Sequence, residues 1–145
     1  MSTDATPNSQ SYELRPATSA DREAICNLVQ QLHPDGAHLA TLPLVRQESQ
    51  TFIATDRGAV IGVVVATFVD YGIEAYGMIE DLIVDENRRG ERIGRSLLHQ
   101  CQDWCSRLGA DVVFVSALPD AEPFYLSGGF TRCTGPWLYS TAGVS

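Results

Sequence analysis

The segment Ile79-Glu80-Asp81-Leu82-Ile83-Val84-Asp85-Glu86-Asn87-Arg88-Arg89-Gly90-Glu91-Arg92-Ile93-Gly94-Arg95-Ser96-Leu97-Leu98 runs from a buried-strand pattern through a Gly/Arg-rich turn into an amphipathic helix. That order gathers orphan backbone N–H groups and four arginines (Arg88, Arg89, Arg92 and Arg95) around one point. A polyanion suits such a point, because a helix N-terminus offers unpaired donors and the positive end of the helix dipole. The plain alternative is a solvated basic first turn. Arginine there opposes the dipole, so a counter-anion accounts for it better.

Outward from this segment, the apolar residues Ile93, Leu97, Leu98, Cys101, Trp104, Cys105 and Leu108 keep the helical period. They predict a helix over Glu91–Leu108, with Gly109 at its C′ position. Upstream, a strand is expected from Met78 to Val84. Two further runs, Thr51–Thr55 and Val60–Val69, flank Asp56-Arg57-Gly58, a hairpin signal. Tyr71-Gly72 turns the chain again. Tyr12–Pro16 reads as a first strand, followed by a helix that Ser19 caps with Glu23 in answer. Pro34-Asp35-Gly36 ends that helix, and Ala37–Gln50 carries a weaker helical pattern broken by Pro43. Downstream, Val112–Val115 is a short buried strand. Pro119–Ser127 is a short helix with Pro119 in its first turn, Gly128-Gly129 stops it, and a last strand starts at Phe130. The fold class is therefore mixed α/β, with the order β–α–α–β–β–β–α–β–α–β, one sheet, and helices on both faces.

Composition narrows the function. The chain has 145 residues, enough for one domain with its own core, and 44% of them are hydrophobic. Met1–Gln10 is polar and reads as a disordered leader without a signal-peptide pattern; residues 11–140 form the domain and 141–145 a tail. No run is long and apolar enough for a membrane span, and the expected location is the cytoplasm. A net charge of −8 disfavours nucleic acid as a partner. The ten basic residues are all arginine, which excludes lysine Schiff-base chemistry and a P-loop lysine. Of the four cysteines, Cys101 and Cys105 share the apolar face of the Glu91–Leu108 helix and belong to the core rather than to a metal, and no metal is expected. His33, His38 and His99 are scattered and suggest no chemistry.

Arg89-x-x-Arg92-x-Gly94 after the Val84 strand, then a helix, a strand and Phe124-Tyr125-x-x-x-Gly129-Phe130, resembles the GNAT superfamily of N-acetyltransferases across residues 75–132. The resemblance implies the GNAT acyl-CoA N-acyltransferase fold, with a central mixed, mostly antiparallel sheet. It implies acetyl-CoA as co-substrate, its pyrophosphate cradled by main-chain amides of Arg89, Gly90, Glu91, Arg92, Ile93, Gly94 and Arg95. Arg92 stands where the family usually has a glycine, which keeps the amide and adds a bulkier rim. The strand Leu82, Ile83 and Val84 matches the one that holds the pantetheine arm and acetyl carbonyl. Tyr125 matches the general acid that protonates the leaving thiolate.

An ammonium acceptor must lose a proton before it can attack, and a strand carboxylate can take it, through a water. Regular alternation would set Glu80 and Asp81 on opposite faces, Glu80 with Met78, Leu82 and Val84. Glu80 is the favoured base and Asp81 a group that contacts substrate. Locally the chain is similar to glucosamine-6-phosphate N-acetyltransferases, in its Ile79–Val84 strand, its residue at 92 and its Leu118-Pro119-x-x-x-x-Phe124-Tyr125 approach. The basic C-terminal ending of that subfamily is missing, and only Arg132, Arg46 and Arg57 remain as phosphate ligands. The expected activity is acetyl transfer from acetyl-CoA to a primary amine of a small molecule. The alternatives are a protein N-acetyltransferase and a non-catalytic CoA-binding module. Trp137 and Tyr139 are candidates for a homodimer interface. The acceptor's identity is expected to lie with Ala37–Gln50 and the C-terminal strand, where no motif names it.

Overall fold

The computed structural model describes residues 11–35 and 42–143. The expected leader, residues 37–41 of the weaker helical pattern, and His38 lie outside them. The elements are α1 (Arg22–Val29), β1 (Arg46–Asp56), β2 (Ala59–Asp70), β3 (Ala75–Val84), α2 (Ile93–Leu108), β4 (Val112–Val115) and α3 (Glu122–Ser127). They fall into two compact units, Met1–Val115 and Ser116–Ser145.

In the first unit the strands lie in the order β1-β2-β3-β4, giving a mixed, mostly antiparallel sheet. β1–β2 and β2–β3 pair antiparallel and β3–β4 parallel. The β1–β2 hairpin closes through Arg57 (φ 52°) and Gly58 (φ 81°), the two left-handed residues of a tight turn whose twist matches the strands. The even-numbered side chains of β2 face α2, and Val64, Ala66 and Phe68 are fully buried. Two glycines set how closely the helix approaches. A Cβ on Gly62 would stand 2.9 Å from Leu97 Cδ1 and 3.1 Å from Ile93 Cγ2, and one on Gly77 would collide with Cys105 Sγ. From the helix side Leu97, Leu98, Cys101 and Cys105 complete the core, and Trp104 meets Phe52 edge-on at 6.3 Å. Cys101 and Cys105 are thus packing residues. Their mutual hydrogen bond, then burial, holds the Cys101 thiol well above the ordinary thiol range. Gly109 (φ 104°) terminates α2 as its sequence predicts.

The N-terminal expectations need correction. Tyr12–Pro16 is not a strand: Pro16 has no N–H to donate, and Arg15 turns instead to Asp21, bonding it at 2.8 and 2.9 Å. The capping residue is Thr18, not Ser19, and it caps a 3-10 turn over Ser19–Asp21 that leads into α1. Thr18 Oγ1 accepts from the Ala20 N–H at 3.3 Å, and the Thr18 N–H donates to Asp21 Oδ2 at 2.9 Å. Thr18 and Asp21 have the three-residue spacing a capping box requires, whereas Ser19 and Glu23 are four apart. Arg46–Gln50, expected to be helical, is the first half of β1, with Arg46 opposite Asp70 and Gln50 opposite Ala66. Pairing with a distant, strongly apolar strand overrides a weak local helical pattern.

In the second unit α3 begins at Glu122, so Pro123 rather than Pro119 occupies its first turn. No strand follows Phe130 among the described residues. The chain folds back there: the Phe130 N–H donates to the Tyr125 carbonyl at 3.1 Å, and Arg132 forks onto Glu122 at 3.0 and 3.1 Å.

Candidate active site

β3 outruns its parallel neighbour. The β3–β4 ladder starts at Tyr76–Val112 and stops at Ile79–Val115, while β3 continues through Glu80, Asp81, Leu82 and Ile83 to Val84. At the same place the antiparallel ladder with β2 slips: Ala66 faces Ile79 and Val65 faces Asp81, leaving Glu80 without a partner. This is a β-bulge, and it changes the phase of every side chain beyond it.

Opposed residues of two paired strands share a face. Val65 and Thr67 lie on the face away from α2, so Asp81 lies there, and the Thr67 hydroxyl reaches Glu80 Oε2 at 2.7 Å on that face too. Leu82 and Val84 oppose Val64 and Gly62 and turn toward α2. Regular alternation is therefore overturned: Glu80 and Asp81 share one face, and Glu80 keeps Met78 but parts from Leu82 and Val84. A cavity of about 460 Å³ opens on this face, lined by Gln47, Ser49, Thr67, Tyr76, Met78 and Glu80. Its polar wall mixes groups that donate and accept (Gln47, Ser49, Thr67 and Tyr76) with the Glu80 carboxylate, which when ionised accepts only.

Past Val84 the chain makes one short turn before α2. Asp85 anchors it, donating its N–H to the Ile61 carbonyl at 2.8 Å and accepting from the Asn87 N–H at 2.9 Å. Gly90 (φ 87°) and Arg92 (φ 66°) are both left-handed, and α2 begins at Ile93 with no side-chain cap. Among the described residues the amides of Gly90, Ile93 and Gly94 donate to no backbone carbonyl. A left-handed turn ahead of an uncapped helix leaves the first N–H groups of α2 without intrahelical partners at the positive end of its dipole.

The four arginines separate into two kinds. Arg88 is a brace: it bonds Asp56 Oδ2 at 2.9 Å and forks onto both oxygens of Glu91, each at 2.9 Å. These bonds, Glu91 first and Asp56 second, raise the Arg88 pKa, and Arg88 in turn lowers that of Glu91. So the Glu91 side chain is committed to the brace, and only its main chain is left to serve a ligand. Arg89 and Arg92 have no ion-pair partner among the described residues. Arg92 and Arg95, with Ser96 and His99, line a groove along the outer face of α2.

Tyr125 lies in the second unit. Its ring stands edge-on to Phe124 at 5.0 Å and to Phe130 at 5.5 Å. Among the described residues no three His, Cys, Asp or Glu side chains gather as a metal site, and no helix is long and apolar enough to cross a membrane. Two features escaped the sequence reading. The Asp56–Arg88–Glu91 brace joins the hairpin tip to the turn, and no local pattern marks it. Thr67 did carry a signal, as a lone hydroxyl within the apolar run Val63-Val64-Val65-Ala66-Thr67-Phe68-Val69.

A family model described as an acetyltransferase (GNAT) domain matches residues 17–141. The chain belongs to the GNAT acetyltransferase family. That span takes in all seven elements named above. Solved GNAT relatives share the fold at low identity. Glucosamine-6-phosphate N-acetyltransferase from Arabidopsis thaliana superposes with a TM-score of 0.57 at 15% identity, over 81% of this chain and 77% of that one. The aminoglycoside N-acetyltransferase AAC(6')-Iy, solved with CoA, gives 0.58 at 20% identity over 86% and 96%. An aminoglycoside acetyltransferase from an uncultured soil metagenomic sample, solved with sisomicin, gives 0.55 at 17% identity over 84% and 91%. No curated protein matches the sequence significantly.

Proposed function

We propose that this GNAT acetyltransferase moves the acetyl group of acetyl-CoA directly onto a primary amine of a cationic small molecule. The observation that carries the reading is the run of β3 beyond β4, bulged at Glu80 and leading straight into the uncapped start of α2. Main-chain groups of Leu82, Ile83 and Val84 on the side that β4 leaves unpaired suit the amides of a pantetheine arm. The amides from Arg89 to Arg95, with the Arg89, Arg92 and Arg95 guanidiniums, suit a pyrophosphate. AAC(6')-Iy has been solved with CoA and with a bisubstrate analogue, which supports the same co-substrate here.

Acetyl-CoA supplies the acetyl group as an activated thioester. This chain's residues then have three tasks. Glu80, through a water, takes the proton of the incoming ammonium; Asp81, on the same face, holds the amine by charge. Tyr125 gives its phenolic proton to the departing thiolate, a transfer open to a phenol because the ordinary values for free phenol and thiol, about 10 and about 8.5, lie close together. Of the arginines left for a phosphate-bearing acceptor, Arg46 is bonded to Glu48 at 2.8 Å and Arg132 to Glu122 at 3.0 Å, whereas Arg57 has no ion-pair partner among the described residues.

The test is turnover of acetyl-CoA against polyamines, aminoglycosides, amino sugars and peptides with free N-termini. CoA and acetylated amine should be followed chromatographically, since the exposed Cys133 would react with thiol reagents. Small cationic amines should be the best acceptors by kcat/KM. Faster acetylation of peptides would overturn the small-molecule assignment, and CoA binding without any turnover would overturn the enzyme.

A further inference from the structure

We infer that Thr67 is a positioning residue for Glu80. The inference rests on the reading of Glu80 as the proton acceptor. Glu80 is the unpaired residue of the bulge and its side chain is exposed, so backbone pairing alone does not fix where its carboxylate points. One hydrogen bond does. Thr67 Oγ1 lies 2.7 Å from Glu80 Oε2, and among the described residues no other group bonds that carboxylate.

Thr67 is well placed for the task. It sits on β2, flanked in register by Ser49 of β1 and Met78 of β3. Its χ1 is stiff because the side chain is β-branched. An ionised carboxylate offers no proton, so the hydroxyl must donate its single hydrogen to Oε2. Two consequences follow for the cavity. Oε1 is left to accept from water or amine in a fixed direction. Thr67 Oγ1, having given its hydrogen to Glu80, can only accept from a bound molecule, so the pair forms a wall that receives N–H and O–H donors and offers none.

The test compares Thr67→Val, Thr67→Ala and Thr67→Ser by steady-state kinetics, with Glu80→Gln as reference. Loss of one charge-assisted hydrogen bond that aligns the base should lower kcat about tenfold in the Val and Ala variants. KM for acetyl-CoA should stay within about twofold, and Thr67→Ser should return kcat to near the parent value. A purely structural role predicts the reverse order, since valine is the better strand former and serine the poorer. A harmless Thr67→Val, or a Ser variant worse than Val, would overturn the inference while a damaging Glu80→Gln left the base assignment standing. If Glu80→Gln itself were harmless, the base assignment would fall and the positioning role with it.

Discussion

Arg92 shows how one residue can carry a cost and a use at once. It takes a left-handed conformation (φ 66°) at the N-cap of α2, where an L side chain costs about 1–2 kcal/mol relative to glycine. Arg92→Gly should therefore raise unfolding stability in urea by about 1 kcal/mol. The same change should raise KM for acetyl-CoA several-fold by removing a guanidinium proposed to meet the pyrophosphate, with kcat nearly unchanged. Arg88 is the opposite case, since its charge is answered by Asp56 and Glu91. Arg88→Met should loosen the turn and weaken CoA binding in calorimetry without supplying or removing a ligand contact. If Tyr125 is the proton donor proposed above, Tyr125→Phe should lower kcat by about 10² or more while the Kd for CoA holds within about twofold. Equal losses in both would show that the ring packs rather than donates. The acidic pair is fixed by more than its own residues. Glu80 and Asp81 were visible as carboxylates, but their shared face depends on a bulge, and a bulge is set by how two strands align, not by either strand's own pattern.

Elements were legible in proportion to how local their causes are. The β1–β2 hairpin and α2 follow from a two-residue turn and a 3.6-residue period, and both formed where their residues pointed. The first half of β1 did not, because its cause is a partner strand some 20 residues away. The close seat of α2 on the sheet is equally non-local. It depends on Gly77 lying under Cys105, so Gly77→Ala should destabilise the fold by about 1–3 kcal/mol through overpacking. Adding Cys105→Ala should recover part of that loss, and a strictly additive double variant would argue against the contact. At the N-terminus, Arg15 first and the Thr18 amide second hold the Asp21 carboxyl below the usual carboxylate range. A lowered carboxyl pKa contributes stability that is complete above the unfolded value of about 3.9 and is lost as pH falls through the folded value. The NMR shifts of α1 should therefore stay helical from neutral pH to about 4 and drift toward coil in stronger acid. Asp21→Asn should show the drifted shifts already at neutral pH.

For the molecule as a whole, the −8 charge and the local arginine turn set two electrostatic demands that conflict. The proposed cationic amine would be drawn by the overall field, whereas an anionic co-substrate would have to cross that field to reach Arg89 and Arg92. Salt screens the long-range part, since the Debye length shortens from about 30 Å at 0.01 M to about 10 Å at 0.1 M. Raising salt should thus lower kcat/KM for the amine, more steeply for a trication than for a monocation, while kcat at saturation stays level. Over the same range KM for acetyl-CoA should change less, because screening weakens both the repulsion it meets at distance and the arginine contacts it gains on arrival. Initial rates at a series of ionic strengths, with one amine of each charge, separate these effects. Equal slopes for the monocation and the trication would mean that the acceptor is recognised by shape, with no contribution from the surface charge.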